Sequence, residues 1–143
     1  MSDLLYLESS AVLHGLLTRD PEILHFIEAF PHLVTSALTL AEVERVLLRA
    51  SLEGRLTPQG RQVARDWFRE AFALCEVVDV DSVVLGRTGL VFPREPVRTL
   101  DAIHLASIQL VEERLGARPR MLTTDHRIRE NALELGFAVL PPG

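Results

Sequence analysis

The sequence contains no lysine and a single cysteine, Cys75. One cysteine cannot form a disulfide within the chain, so a disulfide framework is excluded. No apolar run approaches the roughly 20 residues that a membrane helix requires. No basic segment precedes the first apolar residues, as it would in a secretory signal. We therefore expect a cytoplasmic protein without a membrane span.

Basic residues are outnumbered by acidic ones: the chain has fifteen arginines and twenty acidic residues, which gives a net charge of −5. This balance argues against a protein that coats nucleic acid through a basic surface, but it allows a nucleic-acid enzyme. Arginine suits bidentate phosphate contacts better than lysine, although a coding preference for arginine gives the same composition. The 143 residues, 48% of them hydrophobic, fit one domain spanning residues 1–143.

Short β-branched or apolar runs alternate with longer segments of helical spacing, which predicts an α/β fold with a mainly parallel sheet. Thr99 is predicted to cap a helix that runs toward Gly116, after a loop over Val91–Arg98 that contains two prolines. Five strands are predicted, at Leu4–Leu7, His32–Thr35, Cys75–Val80, Met121–Thr124 and Phe137–Leu140.

Four acidic residues follow predicted strands or begin predicted helices: Glu8, Glu42, Asp101 and Asp125. Ligands of parallel sheets bind outside the carboxyl ends of the strands, so the four converge if the first and fourth strands are neighbours. Clustered carboxylates repel one another unless a hard divalent cation neutralises them, which predicts Mg²⁺ or Mn²⁺. Taken singly, each acid is also explained as a helix cap or a partner of the helix dipole.

Four strings carry a family resemblance: YLESSAVLHGLL, TSALTLAEVERVL, RTLDAIHLAS and LTTDHRIRENALELGFAVLPP. In this order and spacing, the chain resembles the PIN-domain family, and above all its VapC-type toxin ribonucleases of toxin–antitoxin pairs. The resemblance covers essentially the whole chain. It implies a single PIN-like domain with a five-stranded parallel sheet flanked by helices.

The same resemblance implies hydrolysis of RNA phosphodiesters with Mg²⁺ or Mn²⁺. It also implies a homodimer and a cognate antitoxin that blocks the cleft. The acidic residues of the family fall on Glu8, Glu42, Asp101 and Asp125 of this chain, which the resemblance therefore implies as metal ligands and catalytic residues.

Glu8 departs from the family pattern, which has aspartate in a string such as LDTSA where this chain has LESSA. The extra methylene adds about 1.3 Å of reach. Mg²⁺ requires near-ideal octahedral geometry, and a misplacement of ~1 Å can cost on the order of 100-fold in rate. A second hypothesis follows: a catalytically weakened PIN-like module that binds RNA or protein. A third alternative is a phosphoacceptor receiver or a haloacid-type phosphatase. Either would need an aspartate here and a lysine elsewhere, whereas this chain has Glu8 and no lysine.

Three further side chains are candidates to support the acids. Ser10 and Thr123 stand beside Glu8 and Asp125 and offer hydroxyl groups, which strand ends and helix caps also use. His104 lies one turn after Asp101, where it can donate a hydrogen bond behind the metal ligands or contact phosphate. A packed core histidine is the alternative, because its neighbours are apolar.

Three arginines flank two of the acids and are candidate RNA contacts. Arg98 precedes Asp101, whereas Arg127 and Arg129 follow Asp125. Guanidinium groups at these positions could receive RNA phosphates. Ordinary surface ion pairing explains the same residues.

Overall fold

In the computed structural model, which describes residues 3–143, five strands form one parallel sheet in the order β3-β2-β1-β4-β5. The strands are β1 Leu4–Leu7, β2 His32–Ser36, β3 Cys75–Val78, β4 Arg120–Leu122 and β5 Val139–Leu140. Every neighbouring pair is parallel. The α/β fold with a five-stranded parallel sheet is thus confirmed, and β1 and β4 are neighbours.

Helices connect the strands and begin at the residues that favour helix starts. Asp20 and Thr57 cap two of them, each directly before a proline, with side-chain oxygens that accept from Glu22 N and Gly60 N. Gly116 ends another helix with a φ of 66°. The helices are α1 Ser9–Thr18, α2 Pro21–Ala29, α3 Ala37–Leu52, α4 Pro58–Ala73, α5 Ser82–Arg87, α6 Thr99–Leu115 and α7 His126–Glu134.

The sheet separates two apolar cores. Successive side chains of a strand face opposite sides, so Tyr6 of β1 packs into one core while Leu5 and Leu7 pack into the other. Helix α6 lies in the Tyr6 core and is buried around most of its circumference, with ten buried residues between Asp101 and Val111. A polar side chain on this helix must therefore find its hydrogen bonds within the protein.

Three predicted strands are too long, for reasons of register. β3 ends at Val78 because its partner there, Ser36, is the last residue of β2 and caps α3. β4 ends at Leu122, which pairs with Leu7 at the end of β1. β5 begins only at Val139, because the three-residue β4 offers it few partners.

The predicted cap at Thr99 is wrong by one residue. Arg98 is the N-cap of α6, with extended backbone angles and no side-chain hydrogen bond to the first turn. Its guanidinium pairs with Asp101 instead of capping a backbone N–H. Among residues 3–143, no helix is both long and apolar enough to cross a membrane.

Candidate active site

The predicted acids lie where the strand order reverses. Connections leave β1 toward β2 on one side, whereas β4 and β5 lie on the other side. Glu8 directly follows β1, and its backbone N–H donates to the Leu122 carbonyl at 3.0 Å. Asp125 follows β4 and caps α7. This edge is the position at which open parallel sheets bind their ligands.

One cavity of about 660 Å³ is lined by all four predicted acids. We call it the acidic cavity; its wall includes Glu8, Ser9, Ser10, Leu13, Leu38, Glu42, Arg45, Arg98, Leu100, Asp101 and Asp125. Helices α3 and α6, whose buried apolar residues belong to different cores, bring Glu42 and Asp101 to it. Within residues 3–143, no group of three or more acidic, histidine or cysteine side chains is already arranged to hold a metal ion.

Four donor groups lie within hydrogen-bond distance of the Glu8 carboxylate, and Glu8 is only 3% exposed. Oε1 accepts from the Ser10 and Thr123 hydroxyls, the latter at 2.6 Å. Oε2 accepts from the Ser10 N–H at 2.9 Å and lies 3.1 Å from the Ser9 hydroxyl, whose single proton it shares with Glu42. We call these residues the Glu8 network. A carboxylate offers about four acceptor positions, so the protein itself fills those of Glu8.

Glu42, Asp101 and Asp125 differ from Glu8, because each has one oxygen that contacts no donor among residues 3–143. Glu42 receives its hydrogen bonds on Oε1, from Ser9 and His104. Asp101 pairs through Oδ2 with Arg98 Nε at 3.3 Å, and Asp125 Oδ1 accepts from a helical N–H at 2.9 Å. Three carboxylates with a spare oxygen on one cavity fit the oxygen preference of a hard divalent cation.

A chain of hydrogen bonds lies behind Glu42. Oε1 of Glu42 is 2.6 Å from both Ser9 Oγ and His104 Nε2, and Tyr6 Oη is 2.8 Å from His104 Nδ1. Burial raises the pKa of Glu42, but the hydrogen bonds from His104 and Ser9 outweigh it, so the pKa lies below its usual value. Glu42 is therefore a carboxylate at neutral pH.

Ser10 and Thr123 join the start of α1 to the loop after β4. Thr123 Oγ1 donates to Glu8 and accepts from the Asp125 N–H at 3.1 Å. Ser10 Oγ accepts from the Thr124 N–H at 3.1 Å. The two hydroxyls thus hold the Asp125 loop against Glu8.

Comparisons with known proteins identify the family. The family model described as the PIN domain matches residues 5–134 of this chain. The chain belongs to the PIN-domain family. It is also 38% identical over 141 residues to Ribonuclease VapC46 of Mycobacterium tuberculosis, which covers 96% of this chain and 97% of the relative.

Two solved structures illustrate the shared fold. The Klebsiella pneumoniae toxin-antitoxin complex matches with a TM-score of 0.62 at 18% identity, covering 98% of each chain. VapBC2 of Rickettsia felis, bound to a DNA fragment from its promoter, matches with a TM-score of 0.60 at 11% identity and covers 95% of this chain and 96% of that one. At these identities the likeness supports the fold alone.

The candidate RNA-contact arginines of this PIN domain divide into two groups. Arg98 lines the acidic cavity. Arg127 Nη1 lies 3.5 Å from the Pro96 carbonyl, and Arg129 Nη1 donates to the Pro141 carbonyl at 2.6 Å. Arg129 lines a separate cavity beside the C-terminal prolines. The structure therefore brings only Arg98 of the three to the four acids.

Three residues of the site in this PIN domain were not predicted from the sequence. Arg45 lines the acidic cavity and has no ion pair within residues 3–143; its spacing of three from Glu42 on a helix was the available signal. Ser9 contacts both Glu8 and Glu42. Tyr6 reaches the site only through His104, a contact across 98 residues that no local spacing reveals.

Proposed function

We propose that this PIN domain is a metal-dependent endoribonuclease that hydrolyses phosphodiester bonds of RNA, and that it is the toxin of a toxin–antitoxin pair. One observation carries the proposal: Glu42, Asp101 and Asp125 line one cavity at the carboxyl edge of the sheet, and each has a spare oxygen. The relative VapC46, similar along almost the full length, bears the name ribonuclease. PIN-domain ribonucleases generally use a divalent metal ion.

Glu42, Asp101 and Asp125 would hold that metal ion, for which we propose Mg²⁺ or Mn²⁺ because every ligand is a carboxylate oxygen. When bound, the metal would supply Lewis acidity and an activated water at neutral pH. Direct ligation by Glu8 stays a prediction. Its filled acceptor positions support another contribution, in which Glu8 fixes Ser10, Thr123 and the loop of Asp125.

Side chains around the acids suit RNA binding and hydrolysis without a covalent intermediate. Arg45 and Arg98 lie on the cavity wall, where guanidinium groups can receive backbone phosphates. Leu13, Leu38 and Leu100 form apolar parts of the same wall. Bound RNA would displace water from these apolar surfaces, which would strengthen electrostatic interactions there.

We also propose the surroundings in which the protein acts. The proposed partners are an RNA substrate, a cognate antitoxin and a second copy of the chain. The proposed location is the cytoplasm. The antitoxin is proposed because the relative VapC46 is similar along almost the full length and because one structure that shares the fold is a toxin-antitoxin complex. One sheet that reaches from Leu4 to Leu140 supports the proposal that residues 1–143 act as one domain.

Metal removal is the direct test of the proposed function. We expect the purified protein to cleave a mixed RNA substrate with Mg²⁺ or Mn²⁺ and to lose at least ~100-fold of that rate in chelator, because the carboxylates alone cannot stabilise charge on the phosphate. Gel analysis of RNA fragments measures the rate. Readdition of metal to the chelated sample should restore it.

A contaminating nuclease is excluded by running the Asp101→Asn protein beside the wild type. Cleavage that survives chelation, or that persists at the wild-type rate in Asp101→Asn, would contradict the proposed function. A folded wild-type protein that binds RNA without cleaving it with either metal supports the alternative of a catalytically weakened binding module.

Arg45 is predicted to contribute to RNA binding rather than to the chemical step. We expect Arg45→Ala to raise the KM for RNA about 5-fold, and to reduce the salt dependence of RNA affinity by about one phosphate contact, with kcat little changed. Arg49 is a matched control, because it is exposed on the same helix one turn further. Equal effects of Arg45→Ala and Arg49→Ala would exclude a specific contact.

A further inference from the structure

His104 and Tyr6 form a buried pair behind Glu42. The His104 side chain is 1% exposed and Tyr6 is 0% exposed, and their rings meet edge to face at 6.0 Å between centroids. Both nitrogens of His104 have a partner: Tyr6 Oη at 2.8 Å and Glu42 Oε1 at 2.6 Å. The pair thus connects central strand β1 with a carboxylate of the acidic cavity.

Packing alone does not require a histidine at this position. Apolar, buried residues flank His104 on α6, among them Ile103, Leu105 and Ile108. Burying a polar ring there is unfavourable unless both nitrogens are hydrogen-bonded. A leucine would fill similar space without that requirement. The presence of histidine, and of a tyrosine rather than phenylalanine against it, indicates a function for the hydrogen bonds.

The contacts define which atom donates. A carboxylate only accepts, so the proton of the 2.6 Å contact belongs to His104 Nε2. A neutral imidazole with its proton on Nε2 accepts at Nδ1, so the Tyr6 hydroxyl, 2.8 Å away, donates to Nδ1. A histidine with one nitrogen fixed in this way presents the other in one defined orientation.

The direction of these bonds determines which oxygen of Glu42 stays available. His104 and Ser9 both donate to Oε1, and within residues 3–143 no donor contacts Oε2. We propose that His104, held by Tyr6, is a positioning residue that fixes the Glu42 carboxylate through Oε1 and leaves Oε2 to bind a divalent cation. The identity of the ligand rests on the proposed function, whereas the positioning itself is a statement about these three side chains.

Three variants at the pair test this inference. His104→Leu removes the donor to Glu42, His104→Gln keeps a side-chain N–H at a similar distance, and Tyr6→Phe removes only the hydroxyl. Mn²⁺ alone is titrated into metal-free protein by calorimetry, and thermal melts report folding. Residues behind metal ligands typically change affinity about 10–100-fold. We expect a loss in that range for His104→Leu, about 5-fold for Tyr6→Phe, and less than ~3-fold for His104→Gln.

His25→Leu is the matched control, because His25 is exposed on α2. This substitution should leave the affinity for Mn²⁺ unchanged. If His104→Leu folds and binds Mn²⁺ as the wild type does, the inference is overturned and His104 only packs. If His104→Leu does not fold, Tyr6→Phe and His104→Gln decide: equal affinities for Tyr6→Phe and wild type overturn the inference.

RNA cleavage by the same proteins separates the two proposals. A wild-type protein that binds Mn²⁺ with the expected ranking of variants but cuts no RNA overturns the proposed function and leaves the positioning intact. A wild-type protein that cuts RNA, with variants that bind Mn²⁺ and cut equally well, overturns the positioning alone. A wild-type protein without affinity for Mn²⁺ overturns the positioning, since no cation site then depends on it.

Discussion

Replacing Glu8 by aspartate, the residue usual in the family, is expected to lower the melting temperature by about 10 °C and to slow RNA cleavage. The reason is the Glu8 network. Both oxygens of the carboxylate are occupied, by the hydroxyls of Ser9, Ser10 and Thr123 and by the Ser10 N–H. Aspartate is shorter by about 1.3 Å, and its carboxylate cannot reach all four donors from the same backbone position.

The magnitude follows from the hydrogen bonds that are lost. Aspartate is a good N-cap, so the bond from the Ser10 N–H is expected to survive. The bond from the Ser10 hydroxyl is expected to survive with it. The bonds from Thr123, in the loop after β4, and from Ser9 are expected to break. Hydrogen bonds to charged groups contribute about 1.5–3 kcal/mol each. The lower figure applies here, because the Ser9 proton keeps its bond to Glu42, so two lost bonds correspond to about 3 kcal/mol. At this chain length, 1 kcal/mol shifts the melting temperature by about 3 °C.

Glu8→Gln is the matched control, because it keeps the length and can still accept from the Ser10 N–H while the hydroxyls of Ser10 and Thr123 reorient to accept. We expect its melting temperature to fall by less than half as much as that of Glu8→Asp. Thermal melts in chelator measure stability, and RNA fragments measure the rate. An aspartate variant that is more stable and cleaves faster would instead show that Glu8 is a defect, as the weakened-module hypothesis requires.

Much of the fold could be predicted from the sequence, because single residues mark its boundaries. Asp20 and Thr57 before prolines begin α2 and α4, and Gly116 ends α6, as expected. The lengths of the strands could not be predicted in this way. A parallel strand ends where its neighbour ends, so the limit of β3 at Val78 depends on Ser36 of β2, which lies far away in the chain.

The candidate site also contains some features that local sequence patterns predict and others that depend on distant residues. The positions of Glu8 and Asp125 after strands, and of Glu42 and Asp101 near helix starts, follow from local patterns together with the family resemblance. Which acid keeps a spare oxygen depends instead on hydroxyls and rings from other elements. Ser9 and Tyr6 are such residues, since their contacts join positions 33 and 98 residues apart. Spacing within one helix or strand carries no information about them.

Asp101→Asn is expected to reduce RNA cleavage on the order of 1,000-fold while leaving the metal-free protein folded. The carboxylate of Asp101 lines the acidic cavity and is only 12% exposed, whereas its partner Arg98 is 72% exposed. An ion pair with such an exposed partner contributes little to stability. Removing one of several like charges from a cavity relieves repulsion. The two effects oppose each other, so we expect the melting temperature in chelator to change by less than ~3 °C.

The response to metal distinguishes this prediction from a general loss of structure. A ligand at 100 times its Kd stabilises the folded protein by about 2.7 kcal/mol, so Mn²⁺ should raise the melting temperature of the wild type by about 8 °C. Asp101→Asn should lose most of this rise, because the amide oxygen carries no charge for the cation. Asp79→Asn, at an exposed position after β3, should keep it. If Asp101→Asn responded to Mn²⁺ like the wild type and still failed to cleave RNA, Asp101 would act on the substrate and not as a metal ligand.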